Sequence, residues 1–241
     1  MKYFRCMNIV ITGASKGLGK AISEKFAADK QGHSFFLCAR NAETLKAFAT
    51  ELQARFPRTT VNFYACDMGV KAEAEAFANW VLGFNKPVDI LVNNAGQFVP
   101  GSISNEPEGV LEQMIQVNLY SAYYLTRVLL PHMIQARQGH IFNMCSIASL
   151  KAYDNGGAYS ISKYALAGFS RNLREELKPH QVKVTAVYPG AAYTDSWSGS
   201  GVDPQRLMDA GDIAEMVYAT AHLSPRACVE DIILRPQLGD L

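Results

Sequence analysis

The chain is 241 residues long, 49% hydrophobic and 19% charged, with a formal net charge of +1 at pH 7. That length suits one domain, residues 1–241, burying about 70–75% of its unfolded surface, and the near-neutral balance gives no case for a nucleic acid or an anionic membrane as partner. The five cysteines (6, 38, 66, 145, 228) are scattered without a C-x-x-C pair, the five histidines show no metal-ligand spacing, and no run of about 18 apolar residues occurs; reduced thiols in the cytoplasm, no metal site and no membrane span are expected.

The opening stretch MKYFRCMNIVITGAS lacks the long apolar region and small-residue cleavage site of a secretory leader, so none is expected. Met7 to Thr12 is a short apolar run bounded by glycine, the mark of a buried parallel strand. Gly13-Ala14-Ser15-Lys16-Gly17-Leu18-Gly19 follows, then residues 20–30 with helical spacing. A strand, a glycine turn and a helix make a phosphate cradle. The helix start offers unpaired N–H groups and a partial positive charge, and glycines let the backbone come close to a pyrophosphate. Ser34 to Ala39 reads as a second strand, ending at Arg40. In a dinucleotide site, an acid there takes the ribose 2′-hydroxyl of NAD and an arginine accommodates the 2′-phosphate of NADP. Arg40 is present with no carboxylate at 39–41, and Lys16 can approach the same phosphate, which favours NADP.

Residues 42–55 read as a helix capped by Asn41 and stopped before Pro57. Thr60 to Ala65 is a third strand, ending at Cys66-Asp67, and residues 70–84 are helical. Val88 to Val92 is a fourth strand running into Asn93-Asn94-Ala95-Gly96, which either lines a cofactor pocket or forms a plain turn. A helical pattern over about 108–137 contains Asn118, polar among Met114, Ile115, Val117 and Leu119. A buried amide must find partners, so Asn118 is either structural or beside an active site.

His140 to Cys145 reads as a fifth, buried strand, with Ser146 at its end. Cys145 is expected to face away from Ser146 and to pack. Gly156-Gly157 then breaks the backbone before a helix over 158–177, where Tyr159 and Lys163, four apart, share one face. A free phenol is only about 0.1% ionised at pH 7. A neighbouring ammonium favours the phenolate, and bringing the phenol to about 7 takes roughly 4 kcal/mol. Such a pair suits general acid–base work on a carbonyl or alcohol oxygen, with Ser146 holding the same oxygen. Tyr-x-x-x-Lys also decorates ordinary helix surfaces, so its meaning rests on a cofactor site beside it. Lys183 to Tyr188 is a sixth strand ending at Pro189-Gly190, residues 191–210 are loop-like, Asp212 to Leu223 is a helix, and Val229 to Arg235 is a final strand.

Strands and helices alternate throughout, which predicts a three-layer α/β domain with a mostly parallel sheet. Gly13, Arg40, Asp67, Asn93, Ser146 and Pro189 all fall at or beyond carboxyl ends of strands, the edge where open α/β sheets bind ligands.

With these motifs in this order and spacing, the chain resembles the short-chain dehydrogenase/reductase family, in its single-domain branch, over nearly its whole length. The motifs are T-G-x-x-x-G-x-G at 12–19, N-N-A-G at 93–96, Asn118, Ser146 thirteen residues before Tyr159, Y-x-x-x-K at 159–163 and P-G at 189–190. The resemblance implies a Rossmann-type, doubly wound, seven-stranded sheet with helices on both faces. It implies that NADP moves the hydride while the protein places and polarises. By the same resemblance, Tyr159 gives or takes the proton, Lys163 lowers its pKa and holds the nicotinamide ribose, Ser146 orients the substrate oxygen, and Asn118 supports a water linking Lys163 to solvent. Gly13, Ser15, Lys16, Gly17, Leu18 and Gly19 would form the phosphate turn; Arg40 and Asp67 would meet the adenosine. Asn94, Ala95 and Gly96 would line the cofactor, with Pro189, Gly190 and Thr194 at the nicotinamide end. The partner is a small carbonyl or alcohol, and many relatives are homodimers or homotetramers.

The tail at 229–236 and the loop at 189–197 are similar to bacterial sepiapterin-reductase-like members of the family. Residues 191–210 would form a short lid. Phe98, Tyr153, Tyr193 and Trp197 would build an aromatic pocket for a flat substrate such as a pterin, or accept a vicinal diketone, with Asp195 a candidate for a polar edge. The competing readings are a 3-oxoacyl thioester reductase and a non-catalytic NADP-binding sensor; a sensor is expected to have lost part of the catalytic set, which is complete here.

Overall fold

The strands that form the centre of the protein are those with unbroken apolar runs. In the computed structural model, which describes residues 6–194 and 201–240, they are β1 (Asn8–Thr12), β2 (Ser34–Ala39), β3 (Thr60–Ala65), β4 (Ile90–Asn93), β5 (His140–Met144), β6 (Lys183–Pro189) and β7 (Asp231–Leu234). They make one seven-stranded sheet in the order β3-β2-β1-β4-β5-β6-β7. Every neighbouring pair is parallel. The order reverses between β1 and β4, the position at which a doubly wound sheet opens a crevice for a ligand.

Helices α1 (Gly17–Ala27), α2 (Ala42–Arg55), α3 (Lys71–Leu82), α4 (Val110–Ile115), α5 (Ser121–Ala136), α6 (Gly157–Leu177) and α7 (Ala210–Ala221) connect the strands. Successive strand residues point to opposite faces, so the sheet feeds two cores. Ile9, Ile11, Phe35 and Leu37 pack with Phe26 of α1, Leu45 of α2 and Ile213 of α7. Val10, Phe36, Leu91 and Ile141 pack with Phe77 of α3, Leu129 of α5 and Leu173 of α6. Each such buried side chain contributes about 1.5–3 kcal/mol relative to exposure. This two-faced burial is why the strands lack polar alternation.

The helix expected over 108–137 is α4 and α5 joined by one π turn, Gln116–Tyr120, with Asn118 at its middle. A π turn inserts a residue into the helical register and often marks a functional site. Here it turns Asn118 inward to partners outside its own helix. The last strand is shorter than expected, Asp231–Leu234, and β4 begins two residues late and ends at Asn93.

Candidate active site

The glycine turn after β1 is fixed by both conformation and space. Gly13 and Gly17 have φ of +62° and +55°. A Cβ on Gly19 would lie 2.4 Å from the Gly13 carbonyl oxygen and 2.7 Å from Asn94 Nδ2. The start of α1 has no side-chain cap and no acidic residue in its first turn. A backbone pressed this close to its neighbour, opening a helix whose first amides are uncapped, fits a pyrophosphate. Ser15 and Leu18 are half-buried in this turn, and Lys16 and Arg40 are exposed beside it and at the end of β2.

The Asn93-Asn94 pair resolves into two jobs. Asn94 Nδ2 donates to the carbonyls of Thr12 (2.9 Å) and Gly13 (3.1 Å), while Thr12 Oγ1 accepts from Asn94 N (2.9 Å) and Ala95 N (2.8 Å). The glycine turn and the 94–96 loop are thereby stapled together. Asn93 points the other way. Its Nδ2 donates to Thr126 Oγ1 (3.0 Å) and Asn143 Oδ1 (2.8 Å), and Asn143 Nδ2 donates to Ser170 Oγ (2.9 Å). This buried ladder ties β4 and β5 to α5 and α6.

Asp67 sits past the end of β3, where its Oδ1 accepts from Gly69 N at 2.8 Å. Gly190, after β6, donates its N–H to the Leu234 carbonyl at 2.7 Å. Thr194 lies over the glycine turn: a Cβ on Gly17 would meet its methyl at 3.5 Å. Gly13, Asn94, Gly96, Pro189 and Thr194 thus share one edge of the sheet.

Ser146 leaves β5 as the N-cap of a 3-10 turn, Ile147–Ser149, and its Oγ accepts from Ala148 N at 3.1 Å. Tyr159 and Lys163 are the third and seventh residues of α6 and share a face, the ammonium 5.8 Å from the phenol ring centroid. Lys163 is 6% exposed and donates to the Met144 carbonyl at 2.8 Å. Burial brings its pKa down to about 8. A Cβ on Gly96 would stand 3.4 Å from that ammonium and 3.3 Å from Asn118 Oδ1, so the 94–96 loop runs against both groups. Burial pushes the Tyr159 phenol above its usual value, and the neighbouring Ser146 hydroxyl pulls the other way. Lys163 donates to a carbonyl here, and desolvation is the larger effect on the phenol.

Asn118 is buried, and its amide is engaged. Oδ1 accepts from Gln97 N (2.7 Å), and Nδ2 donates to Gln97 O (3.0 Å) and Ser162 Oγ (2.8 Å). Cys145 packs among Leu166, Ala167 and Tyr188, and burial raises its thiol to about 11, as expected of a packing residue.

Of the four aromatic candidates, Phe98 stands against Tyr159, ring centroids 4.8 Å apart and edge to face. Tyr193 is exposed. Tyr153 donates its hydroxyl to Asp240 Oδ2 at 2.6 Å, and Arg235 pairs with the same carboxylate, which fastens the chain's tail to the loop before α6. Trp197 and Asp195 lie outside the described residues. Sequence reading did not single out Gln97, Ser162 or the staple formed by Thr12; the hydroxyl before the first glycine was the available signal for the last.

Among the described residues, no three His, Cys, Asp or Glu side chains group as a metal site requires, and no helix is long and apolar enough to cross a membrane.

A family model described as short chain dehydrogenase matches residues 7–203. The chain is 32% identical to a sepiapterin reductase of Chlorobaculum tepidum, over 97% of each protein. Its fold is similar to that of a metagenomic short-chain oxidoreductase solved in complex with NADP, at 33% identity and a TM-score of 0.83 over 97% of this chain and 98% of that one. It is also similar to an alcohol dehydrogenase of the archaeon Thermococcus sibiricus complexed with 5-hydroxy-NADP, at 28% identity and a TM-score of 0.89 over 97% of each.

Proposed function

This chain belongs to the short-chain dehydrogenase family, and on that premise we propose that it reduces a small-molecule carbonyl to an alcohol with NADPH, Tyr159 acting as the general acid. The observation that carries the reading is one wall of side chains. The Tyr159 phenol neighbours the Ser146 hydroxyl, the buried Lys163 lies beneath its ring, and Lys163 stands against the loop stapled to the glycine turn. Gly13, Ser15, Gly17, Leu18 and Gly19 would hold the pyrophosphate. Lys16 and Arg40 would take the 2′-phosphate, Asp67 would face the adenine, and Asn94, Ala95, Gly96, Pro189, Gly190 and Thr194 would line the remainder. NADP-bound relatives of the same fold support this choice of cofactor. When bound, NADPH supplies the hydride.

The residues of this chain divide the other work. Ser146 holds the carbonyl oxygen by a hydrogen bond. Tyr159 gives that oxygen its proton, and a phenol kept protonated by burial has one to give. Lys163 places positive charge under the phenol as it becomes a phenolate, where a buried ammonium acts with little screening. Asn118 keeps the 96–97 backbone and α6 in register through Gln97 and Ser162.

For the substrate we propose a flat, ring-bearing ketone of the pterin kind or a vicinal diketone. The named activity of the C. tepidum relative supports it, as does the edge-on Phe98, which gives the site an apolar wall; Tyr193 and the ring of Tyr153 would extend that wall. The partly exposed aromatic row from Tyr120 of the π turn through Tyr124 and Tyr123 of α5 to Phe169 of α6 supports a homo-oligomer, whose subunit number light scattering reads. The five free thiols suit a reducing compartment such as the cytoplasm.

The test is NADPH oxidation over a panel of sepiapterin, vicinal diketones, quinones and 3-oxoacyl thioesters, with NADH in parallel. Tyr159→Phe is expected to lose turnover by at least ~10²-fold and to bind NADPH as before. An active Tyr159→Phe removes the mechanism. Turnover of 3-oxoacyl thioesters alone replaces the substrate class, and binding without turnover across the panel leaves a sensor.

A further inference from the structure

The catalytic helix begins without a side-chain cap of its own. Its N-cap is Gly156 and its first residue Gly157. The missing acceptor comes from 52 residues upstream: Glu106 Oε2 accepts from Ala158 N at 3.1 Å. Gly157 is what allows this approach. A Cβ on Gly157 would stand 2.5 Å from Glu106 Oε2 and 2.5 Å from the Gly101 carbonyl oxygen. Gly101 N donates to the Asn155 carbonyl at 3.0 Å, and Ser102 Oγ donates to Asn155 Oδ1 at 3.0 Å. The segment after β4 is therefore moored to the start of α6, and its carboxylate sits where the helix has unpaired amides and a partial positive charge.

That segment also carries the substrate-side groups. It starts at Gln97, whose backbone Asn118 holds against Ser162, and continues through Phe98, whose ring edges onto Tyr159. Ser162 Oγ in turn donates to the Tyr159 carbonyl at 2.7 Å. Tyr159 thus lies between two moorings. Glu106 holds the amide one residue before it, and the Asn118–Ser162 pair holds its carbonyl. We infer that Glu106 is a positioning residue for the reaction, its carboxylate setting the first turn of α6 and with it the direction of the Tyr159 phenol. The inference rests on the reading of Tyr159 as the acid. An error of about 1 Å at such a group costs up to ~10²-fold in rate, while the glycine turn after β1, which would hold the pyrophosphate, makes no contact with Glu106.

Glu106→Ala, Glu106→Asp and Glu106→Gln separate this role from a merely structural one, in the full-length chain with NADPH and the best carbonyl of the panel. Ala removes the acceptor, Asp withdraws it by one methylene, and Gln keeps an oxygen in place. Ala and Asp are expected to lower kcat about tenfold with KM and NADPH affinity within about threefold, and Gln to restore most of kcat. Hydrogen exchange of the NADPH complex gives a readout that needs no substrate: the 157–163 amides should exchange faster in Ala and Asp and as wild type in Gln. Wild-type kcat and exchange in Ala or Asp overturn the inference, as does a change in KM alone. If Ala fails to fold, Asp and Gln decide by the same criteria. A wild-type chain that reduces no carbonyl strikes at the proposed function instead, and the exchange measurement still tests the mooring.

Discussion

Thr12→Val is the substitution that tests most directly how the cofactor edge is held. Thr12 is 2% exposed, and valine reproduces its shape, so no cavity opens. What changes is one oxygen. Thr12 Oγ1 accepts from Asn94 N at 2.9 Å and Ala95 N at 2.8 Å, and donates to the Val92 carbonyl at 3.4 Å. Asn94 N keeps a second acceptor, the Val92 carbonyl at 3.0 Å, whereas Ala95 N has no second acceptor among the described residues. A buried donor left without a partner costs about 1–3 kcal/mol, and one hydrogen bond weakened to its alternative about 0.5–1 kcal/mol. The sum is about 1.5–4 kcal/mol, or roughly 3–16 °C in Tm for a chain of this length. The loosened segment is 94–96, so NADPH affinity falls with stability. Thermal melting and NADPH titration of Thr12→Val and Thr12→Ser measure both. Serine keeps the oxygen and should recover most of each. A valine variant that melts within about 2 °C of wild type and binds NADPH equally refutes the staple.

Arg40→Asp should weaken NADPH by at least ~10-fold while leaving NADH nearly unchanged, since only the former carries the 2′-phosphate; equal loss of both by fluorescence titration removes Arg40 from that role. His140 gives the fold an acid limit. Thr185 Oγ1 donates to the Val229 carbonyl, so it accepts from His140 Nε2–H, and His140 Nδ1 is buried without a partner for an added proton. Burial, helped by Lys183, brings this pKa from 6.5 to about 3. The unfolded chain takes the proton first, so the stability is full above pH ~6.5 and declines toward pH 3, by at most about 5 kcal/mol. Urea unfolding from pH 7 to 4 should show this slope in wild type and lose it in His140→Phe; an unchanged slope refutes the assignment.

The sequence displayed its fold wherever one local rule was enough. Unbroken apolar strands, a glycine turn before a helix and Asn41 as a cap each have short-range causes, and the cap is observed, with Asn41 Oδ1 accepting from Thr44 N at 2.9 Å. What stayed hidden depends on partners far apart in the chain. Nothing near Asn118 announces a π turn, because its cause is the backbone of Gln97 on the facing loop. Nothing near Glu106 announces a cap for residue 158. Its trace is the glycine pair at 156–157, which reads as a helix breaker, while the second glycine is also the space a carboxylate needs. Asn93 and Asn94 are indistinguishable in sequence, yet strand alternation sends one into the sheet ladder and the other to the glycine turn. Tyr153 illustrates the reverse: an aromatic chosen for its ring has its hydroxyl committed to Asp240.

The electrostatics of Tyr159 and Lys163 bear on when the charge of Lys163 matters. Spacing alone suggests an ammonium that stabilises phenolate. In the folded chain the two groups move toward each other instead, the phenol upward and the ammonium down to about 8, both through burial. Neither has surrendered its proton at pH 7. A protonated phenol beside a protonated amine is a proton donor in waiting, which is what carbonyl reduction consumes. The charge that develops on the phenol during reduction is the moment at which Lys163 is worth most, since attraction between buried opposite charges grows only once both exist. The site as folded is therefore matched less to a resting phenolate than to a transition state in which one forms, whichever way the reaction runs.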